Sequence, residues 1–577
     1  MNQNEQDNLL LEVKDLCIDF ANDGKERRVV DHISYKLYRG RTLGIVGESG
    51  SGKSVSSMAI MGLLHKNGHV SEGEILFYGM HADEFYRNGP ANAIDLLKLN
   101  EKQLRPYRGS RISMIFQEPM TSLNPVQKCG AQVVEMLLLH EEMSKSEAKK
   151  RVIELFNEVL LPRPEKIFDS YPHEISGGQK QRVMIAMALV CNPDLIIADE
   201  PTTALDVTVQ KTILDLLRQL KERHNIGIIF ISHDLGVIAQ IADDVAVMYQ
   251  GQIVEQGDAD QILHNPQHPY TKGLLACRPP QEGRPLHLPT VSEFLNGETI
   301  DFNEAETATA TPNQNPEILL SVKDLEVTYP LKRNLFGKTT RKLTAVDHVS
   351  FDVHKGETLG LVGESGCGKS TLGRTLLRLL DSASGSIIYD GTRIDQYTSS
   401  QMRSLRSKMQ IIFQDPYSSL NPRLTIGQAI LEPYKRHNKG KSASEQKAKV
   451  LELMQQVGLE PEWYNRYPHE FSGGQRQRVC IARALILRPE LVICDESVSA
   501  LDVSVQAQVL NLLNDLKRQY GYTYIFISHD LSVVRFLSDR IMVMQQGRIV
   551  ESGSADQIYK NPQQEYTQNL IASIPQI

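Results

Sequence analysis

The chain contains one set of short motifs twice, in the same order, and this internal repeat constrains its fold more than any other feature. LGIVGESGSGKS begins at position 43, and LGLVGESGCGKS begins at position 359. The segments IFQ, SLNP, YPHE, SGGQ, ALDV and FISHDL then follow in both halves. The repeated unit is far longer than the unit of a solenoid. The 577-residue chain is therefore expected to form two complete domains.

A segment of different composition separates the two halves. Residues 281–316 are rich in Pro, Thr, Asn and Glu and lack hydrophobic periodicity, which is typical of a flexible linker. The sequence predicts a first domain at 1–280, a flexible acidic linker at 281–316 and a second domain at 317–577. Short β-rich runs alternate with helical stretches in each half, which favours an α/β fold with a largely parallel sheet. The mostly helical pattern of residues 118–171 predicts an inserted helical subdomain.

Composition and hydropathy exclude several classes of protein. The formal net charge of -7 argues against a general nucleic-acid binder. The longest apolar runs, such as GIIFI at 227–231, are much shorter than a membrane span. The start, MNQNEQDN, lacks the apolar region of a signal peptide. Seven scattered cysteines without a CxxC pair favour reduced thiols in a cytosolic compartment.

Two glycine-rich segments, GESGSGKS and GESGCGKS, fit the phosphate-binding pattern GxxxxGK[ST]. Each follows a β-like run and precedes a helical run, so its backbone amides are expected to surround phosphate oxygens at a helix N-terminus. Lys53 and Lys369 are expected to reach the β- and γ-phosphates, and Ser54 and Ser370 to bind Mg²⁺. The predicted binding residues are Gly47, Glu48, Ser49, Gly50, Ser51, Gly52, Lys53 and Ser54, with Gly363, Glu364, Ser365, Gly366, Cys367, Gly368, Lys369 and Ser370.

Two apolar runs, LIIADE and LVICDE, end in an acidic pair. A strand that ends in two acids is more often a solvated strand tip. Its position downstream of a phosphate loop in both halves favours a role in chemistry instead. Asp199 and Asp495 are predicted to hold Mg²⁺, and Glu200 and Glu496 to act as general bases on the attacking water.

The order of these motifs resembles that of ATP-binding cassette (ABC) ATPases. GxxxxGKS is followed by a Gln after an apolar run, then SGGQ, apolar-DE, ALD and SHD, and the resemblance covers both halves. It implies two fused α/β cassette domains that use ATP and Mg²⁺. Each would have a mainly parallel core sheet with helices, an antiparallel β subdomain and an inserted helical subdomain.

The resemblance also implies roles for residues outside the phosphate loops. SGGQ opens a helix and would complete the nucleotide site of the opposite half; its residues are Ser176, Gly177, Gly178 and Gln179 in one copy and Ser472, Gly473, Gly474 and Gln475 in the other. By the same resemblance, Gln117 and Gln414 would contact Mg²⁺ and the γ-phosphate, and His233 and His529 would orient the attack. Asp206 and Asp502 would link the sites.

The resemblance also concerns two aromatic residues and includes a departure from the family pattern. Phe20 and Tyr329 occupy equivalent places and would stack on adenine, although strand aromatics more often belong to the core. The proline after the acidic pair is replaced by Ser497 in the second half, which removes no predicted catalytic group.

A narrower resemblance concerns transport. YPHE, SLNP and NPQHPYT resemble the importer branch for peptides, glutathione and nickel, and the fusion of two cassettes is most similar to glutathione-import members. This implies two membrane permease subunits, a periplasmic solute-binding protein, and a peripheral location at the cytoplasmic face of the bacterial inner membrane, without nucleic acid. Of the cysteine cluster that binds iron–sulfur in some relatives, only Cys277 is present.

Two alternatives remain open from the sequence. The first is the same importer role for a microcin-type peptide, a dipeptide or nickel. The second is a soluble tandem-cassette ATPase that acts on ribosomes or DNA. Relatives of that second kind carry a basic helical linker, zinc cysteines or coiled coils, whereas the linker here is acidic.

Overall fold

Each half contains two β-sheets, and the strand orders match between the halves. The computed structural model describes residues 8–22, 25–79, 93–117, 122–203, 205–280, 283–298, 317–333, 339–437 and 442–575. The strands of the first half are β1 (Leu9–Asn22), β2 (Lys25–Tyr38), β3 (Thr42–Val46), β4 (Gly68–Phe77), β5 (Ile94–Asp95), β6 (Ile112–Ile115), β7 (Leu195–Asp199), β8 (Gly227–Ser232), β9 (Asp244–Tyr249) and β10 (Gln252–Asp258). Those of the second half are β11 (Ile318–Arg333), β12 (Thr339–His354), β13 (Thr358–Val362), β14 (Ser384–Tyr389), β15 (Thr392–Arg393), β16 (Met409–Ile412), β17 (Leu491–Asp495), β18 (Thr523–Ile527), β19 (Arg540–Gln545) and β20 (Arg548–Ser554).

Helices follow most of these strands. In the first half they are α1 (Lys53–Ile60), α2 (Glu101–Leu104), α3 (Cys129–His140), α4 (Lys145–Glu158), α5 (Pro164–Asp169), α6 (Gly177–Leu189), α7 (Val207–His224), α8 (Leu235–Ile241), α9 (Ala259–His264), α10 (Pro269–Ala276) and α11 (Val291–Leu295). In the second half they are α12 (Lys369–Leu376), α13 (Ser399–Leu405), α14 (Pro416–Ser419), α15 (Ile426–His437), α16 (Ala443–Gln456), α17 (Gly473–Leu485), α18 (Val503–Tyr520), α19 (Leu531–Leu537), α20 (Ala555–Lys560) and α21 (Glu565–Ala572).

The larger sheet of each half is mainly parallel, as predicted. Its order is β10-β9-β3-β8-β7-β6 in the first half and β16-β17-β18-β13-β19-β20 in the second, with only the β9–β10 and β19–β20 pairs antiparallel among the described strands. Every residue of β3, β7 and β8 is buried. Continuous apolar runs of this kind are typical of parallel strands covered on both faces. The carboxyl ends of these strands meet at one edge, where open α/β sheets bind ligands.

The smaller sheet of each half is antiparallel, with order β2-β1-β4-β5 or β12-β11-β14-β15. Its inner side chains, including Leu11, Leu37 and Ile75, join the core that also covers one face of the parallel sheet. The antiparallel subdomain implied by the family resemblance is therefore present in both halves.

The predicted helical insertion contains α3, α4 and α5, and its counterpart contains α15 and α16. Ser144 begins α4 with a capping box, in which its Oγ accepts from Glu147 N and Glu147 accepts from Ser144 N. Val133, Val152 and Phe156 are fully buried between these helices. Positions 118–121 of the predicted insertion lie outside the described residues.

Part of the segment between the halves contacts the second half. Residues 283–298 contain α11 and hydrogen-bond to the second half: Leu288 N donates to Asn511 Oδ1, and Asn511 Nδ2 donates to Leu288 O, each at 2.8 Å. Asn514 Nδ2 donates to Leu286 O at 2.9 Å. Residues 283–298 therefore contact α18 of the second half, which their lack of hydrophobic periodicity did not indicate. The boundaries and flexibility of the linker stay a prediction. Residues 299–316 of the predicted linker lie outside the described residues.

No helix within the described part of the chain is both long enough and apolar enough to cross a membrane.

Candidate functional site

Each glycine-rich segment forms the turn between a buried strand and a helix, from β3 to α1 and from β13 to α12. Gly368 has φ 110°, and a Cβ there would lie 2.1 Å from Ala345 O, so this position requires glycine. Lys53 Nζ donates to Gly47 O at 2.7 Å and to Glu48 O at 2.8 Å. Lys369 Nζ makes the same contacts with its own loop at 2.7 and 2.9 Å. Burial lowers the pKa of Lys53.

The hydroxyl that closes each loop contacts the acid at the end of β7 or β17, two strands away in the same sheet. Ser54 Oγ donates to Asp199 Oδ1 at 2.9 Å, and Ser370 Oγ donates to Asp495 Oδ1 at 2.7 Å. Burial raises the pKa of Asp199 to about 6 and outweighs the hydrogen bond from Ser54. Within the described residues, Asp495 Oδ2 accepts no hydrogen bond, although Arg374 lies 3.7 Å away. Paired hydroxyl and carboxylate oxygens are the donor set that suits Mg²⁺.

The following glutamate has an uncommon backbone conformation in both halves. Glu200 has φ 47° and Glu496 has φ 48°, in the left-handed region, which costs on the order of 1–3 kcal/mol for such a residue. The backbone N–H of each glutamate donates to the end of the adjacent strand, at Ile231 O and Ile527 O, both at 3.0 Å. The same strained turn therefore directs both carboxylates toward the phosphate loop edge of the sheet.

Three donors surround the first of these carboxylates. Gln117 Nε2 donates to Glu200 Oε2 at 3.1 Å, Thr203 Oγ1 donates to it at 2.9 Å, and His233 Nδ1 lies 3.2 Å away. Burial alone would raise the pKa of Glu200, but His233 and the other donors lower it to about 2. Burial would also lower the pKa of His233, and the contact with Glu200 raises it instead. The pair therefore holds the carboxylate ionised.

The second carboxylate has a related environment. Gln414 Nε2 donates to Glu496 Oε2 at 2.7 Å, and His529 Nδ1 lies 4.0 Å from the same oxygen. Lys369 Nζ lies 3.9 Å from Glu496 Oε1. The structure thus brings each predicted Gln, Glu and His together.

Each SGGQ segment begins a helix through a capping box. Ser176 Oγ accepts from Gln179 N at 3.4 Å, and Gln179 Oε1 accepts from Ser176 N at 3.1 Å; Ser472 and Gln475 repeat this at 3.4 and 3.0 Å. Ser176 and Ser472 are exposed. A Cβ on Gly474 would lie 2.2 Å from Val505 Cγ1, so packing against α18 requires a glycine there. The positive end of each helix therefore faces outward.

Reciprocal contacts join each phosphate loop to the segment after ALD in the other half. Ser49 N and Ser49 Oγ donate to the two carboxylate oxygens of Asp502 at 3.0 and 2.9 Å, and Ser504 Oγ donates to the Glu48 carboxylate. In the opposite direction, Ser365 N donates to Asp206 Oδ2 at 3.4 Å. Thr208 Oγ1 donates to Glu364 Oε1 at 3.0 Å.

The aromatic residues predicted to stack on adenine lie on β1 and β11. Phe20 is half-buried, and its ring lies against Gly68 on β4. Tyr329 is 37% exposed, so the two rings differ in how much of their surface is accessible. Their stacking role stays a prediction.

The sequence reasoning missed two tyrosines at these sites. Tyr270 Oη accepts from Glu48 N at 2.9 Å, and Tyr566 Oη accepts from Glu364 N at 3.0 Å. Tyr270 lies in NPQHPYT, which served only as a marker of a transporter branch, and Tyr566 lies in the equivalent segment NPQQEYT of the second half. The signal that could have found them is the tyrosine kept at the same place in both copies.

Comparisons with known proteins define the class. The family model described as ABC transporter matches residues 30–203 and 346–499, and the model described as Oligopeptide/dipeptide transporter, C-terminal region, matches 254–295 and 550–577. The chain belongs to the ABC transporter family, and it is an ATP-binding and ATP-hydrolysing chain of that family.

Particular relatives match over nearly the whole length. The glutathione import ATP-binding proteins of Salmonella typhimurium and Escherichia coli each share 48% sequence identity with this chain. Both matches cover 98% of this chain and 89% of the relative. The protein of that name from Pectobacterium atrosepticum is 46% identical, with the same coverage.

Proposed function

We propose that this chain is the ATPase subunit of a bacterial importer that takes up glutathione or a short peptide through separate permease subunits. The match to glutathione import ATP-binding proteins along 98% of the chain supports this proposal. In this role the chain binds two permease subunits at the cytoplasmic face of the inner membrane. A periplasmic solute-binding protein delivers the solute, and the chain itself touches neither solute nor nucleic acid.

The two ATP sites are proposed to be composite. The observation that carries this proposal is the reciprocal contact of each phosphate loop with the other half, from Ser49 to Asp502 and from Ser365 to Asp206. Asp502 lies in the same half as Ser472, and Asp206 lies in the same half as Ser176. We therefore assign the Ser472–Gln475 segment to the nucleotide on Lys53, and the Ser176–Gln179 segment to the nucleotide on Lys369.

The chemistry of each site is divided among its residues. The loop amides and Lys53 bind the phosphates, while Ser54, Asp199 and Gln117 would hold Mg²⁺. Bound there, the metal supplies charge neutralisation on phosphate oxygens. Glu200 accepts the proton of the attacking water as general base, and His233 orients the attack. Ser370, Asp495, Gln414, Glu496 and His529 repeat these roles at the second site.

The SGGQ helices act as releasable clamps. Their N-terminal amides attract the γ-phosphate of a nucleotide held by the opposite half, and they carry no cationic side chain within SGGQ itself. Closure on two ATP molecules brings the halves together and drives the permeases between outward and inward access; hydrolysis separates the halves and resets the cycle. Fusion in one chain raises the effective concentration of each half for the other.

Short peptides are a second candidate for the solute. The matched region at 254–295 and 550–577 is described for oligopeptide and dipeptide transporters. The permeases and the binding protein select the solute. A match to the peptide-transporter region is therefore compatible with glutathione import by the same branch of importers.

Solute uptake tests the proposal. Cells that lack the gene are complemented with the wild-type chain or with Glu200→Gln/Glu496→Gln, and uptake of labelled glutathione, a dipeptide and nickel is compared. We expect glutathione or dipeptide uptake only with the wild-type chain. Equal uptake with both chains would contradict the importer role, and uptake of nickel alone would contradict the proposed solute.

A further inference from the structure

We infer that Tyr270 and Tyr566 are positioning residues that connect the C-terminal region of each half to its phosphate loop. This inference rests on the proposed assignment of the loops as ATP sites. Both tyrosines lie within the C-terminal regions of the two halves, at 254–295 and 550–577. Their hydroxyls contact the loop backbone itself, which places them one hydrogen bond away from the groups expected to bind phosphate.

The first tyrosine is rigidly held. Tyr270 lies in the first turn of α10, where His268 Nδ1 accepts from Tyr270 N at 3.2 Å. Its side chain is fully buried, and its ring packs on Tyr249 with 4.3 Å between centroids. Burial raises the pKa of Tyr270 far above neutral pH, so the hydroxyl is uncharged. A buried hydroxyl of fixed position can therefore hold Glu48 N at 2.9 Å.

The second copy repeats the contact in different surroundings. Tyr566 Oη accepts from Glu364 N at 3.0 Å. Here the preceding His-Pro of the first copy is Gln-Glu, and the residue equivalent to Tyr249 is Gln545. The hydroxyl-to-amide bond is kept although the packing around the ring differs. Selection for packing alone does not account for that pattern, whereas a role at the loop does.

The same loop residues also meet the opposite half. The Glu48 carboxylate accepts from Ser504, and the next amide, Ser49 N, donates to Asp502. Residues 48 and 49 are thus held on one side by their own C-terminal region and on the other by the second half. Tyr270 fixes the first turn of this phosphate loop. Any displacement of the opposite half therefore acts on a loop that is already held at that turn.

The C-terminal regions contact the opposite half as well. Lys211 Nζ, on α7, donates at 3.2 Å to the carbonyl oxygen of Ala572, the last residue of α21, and Leu288 is hydrogen-bonded to Asn511 on α18. Closure of the halves therefore moves α10 and α21 together with the segments that follow ALD. The tyrosine hydroxyl transmits this movement to the phosphate loop and sets the loop amides for the closed state.

The variants Tyr270→Phe, Tyr566→Phe and the double variant keep the ring and remove the hydroxyl. They are assayed as full chains with their permeases, and kcat, KM for ATP and the midpoint of thermal unfolding are measured. Because the amide loses a net hydrogen bond, we expect the double variant to lower kcat roughly five- to tenfold with KM within about twofold of wild type. Its unfolding midpoint should stay near that of wild type.

Tyr249→Phe is the matched control, because Tyr249 packs on Tyr270 while its own hydroxyl accepts from the exposed Gln250 at 3.0 Å. This control should retain wild-type kcat. A double variant with unchanged kcat, or a loss of kcat that Tyr249→Phe reproduces together with a lower unfolding midpoint, would overturn the inference. A wild-type chain without ATPase activity would instead refute the proposed function, and the inference with it.

Discussion

The two nucleotide sites contain the same motifs, yet different donors hold their glutamates. His233 Nδ1 lies 3.2 Å from Glu200 Oε2, while His529 Nδ1 lies 4.0 Å from Glu496 Oε2. Thr203 Oγ1 donates to the Glu200 carboxylate, whereas Ser499 Oγ donates to the backbone oxygen of Glu496. The replacement of Thr203 by Ser499 at the equivalent position therefore changes how each proposed general base is held.

The contacts between the two halves are also closer at the first site than at the second. Asp502 binds Ser49 through both carboxylate oxygens, at 3.0 and 2.9 Å, while Asp206 accepts from Ser365 N at 3.4 Å. The first phosphate loop is thus held more closely by the opposite half than the second. We expect the sites to bind ATP alike but to contribute unequally to turnover.

The largest expected effect comes from removing both proposed general bases. Glu200→Gln/Glu496→Gln should reduce ATP hydrolysis by roughly 100-fold or more, since general base catalysis contributes on that order. ATP should still be trapped in a closed state. Each single variant then measures the turnover of the other site. Glu222→Gln, at an exposed position on α7, is the control, and substantial residual turnover in the double variant would disprove the assignment.

Substitution of the SGGQ serines tests which halves cooperate. Ser176→Arg removes the cap of α6 and places a bulky cation at its N-terminus, so trapping of nucleotide at the Lys369 loop should be largely lost. Ser472→Arg should abolish trapping at the Lys53 loop in the same way. Photolabelling with an azido-ATP and mapping of the labelled peptides identifies the loop affected. Loss at the Lys53 loop in Ser176→Arg would reverse the pairing.

Much of each site could be predicted because its residues lie in short motifs at the carboxyl ends of parallel strands. Ser54 and Asp199 meet, and so do Gln117 and Glu200, because β3, β6, β7 and β8 belong to one sheet. The cassette fold could be predicted for the same reason. The left-handed turn at Glu200 could not, because no glycine marks it.

Contacts between distant segments could not be predicted from local pattern. Ser49 and Asp502 are 453 positions apart, and Glu48 and Tyr270 are 222 apart. The segment at 283–298 has no hydrophobic periodicity. Local pattern therefore does not reveal that Leu286 and Leu288 contact Asn514 and Asn511 in the other half. Such pairs become visible only when both halves are folded together.

The aspartates of the two ALD segments, Asp206 and Asp502, sharpen the comparison at the interface. Asp502→Ala removes two hydrogen bonds to Ser49 and should lower ATPase activity roughly tenfold, as expected for a loss of about 1–1.5 kcal/mol. Asp206→Ala removes a weaker contact but also the N-cap of α7, where Asp206 accepts from Val209 N at 3.0 Å. It should cost about 1 kcal/mol of unfolding free energy. Equal kinetic effects of the two variants would remove the proposed asymmetry.

The segment between the halves gives a smaller, structural effect. Asn511 is 3% exposed and forms two hydrogen bonds with Leu288, so Asn511→Ala should lower the free energy of unfolding by about 1–3 kcal/mol. The equivalent position on α7 is Asp215, which forms a surface ion pair with Arg218 at 3.5 Å. Asp215→Asn should have no measurable effect. Denaturant unfolding compares them, and equal stabilities would show that the segment is not anchored there.

The smallest effect is expected where the phosphate loops themselves differ, at Ser51 and Cys367. Cys367 is 8% exposed, and burial raises the pKa of its thiol despite the nearby Lys369. Because alkylation requires the thiolate, the thiol should react slowly at neutral pH.

Cys367→Ser gives the second loop the side chain of the first and should leave ATPase activity within about twofold of wild type, as expected for so small a change at a buried site. ATPase activity is measured before and after treatment with N-ethylmaleimide. Rapid inactivation of the wild-type chain but not of Cys367→Ser would show instead that the second loop opens enough to expose its thiol, and the asymmetry between the sites would then include the mobility of the loop.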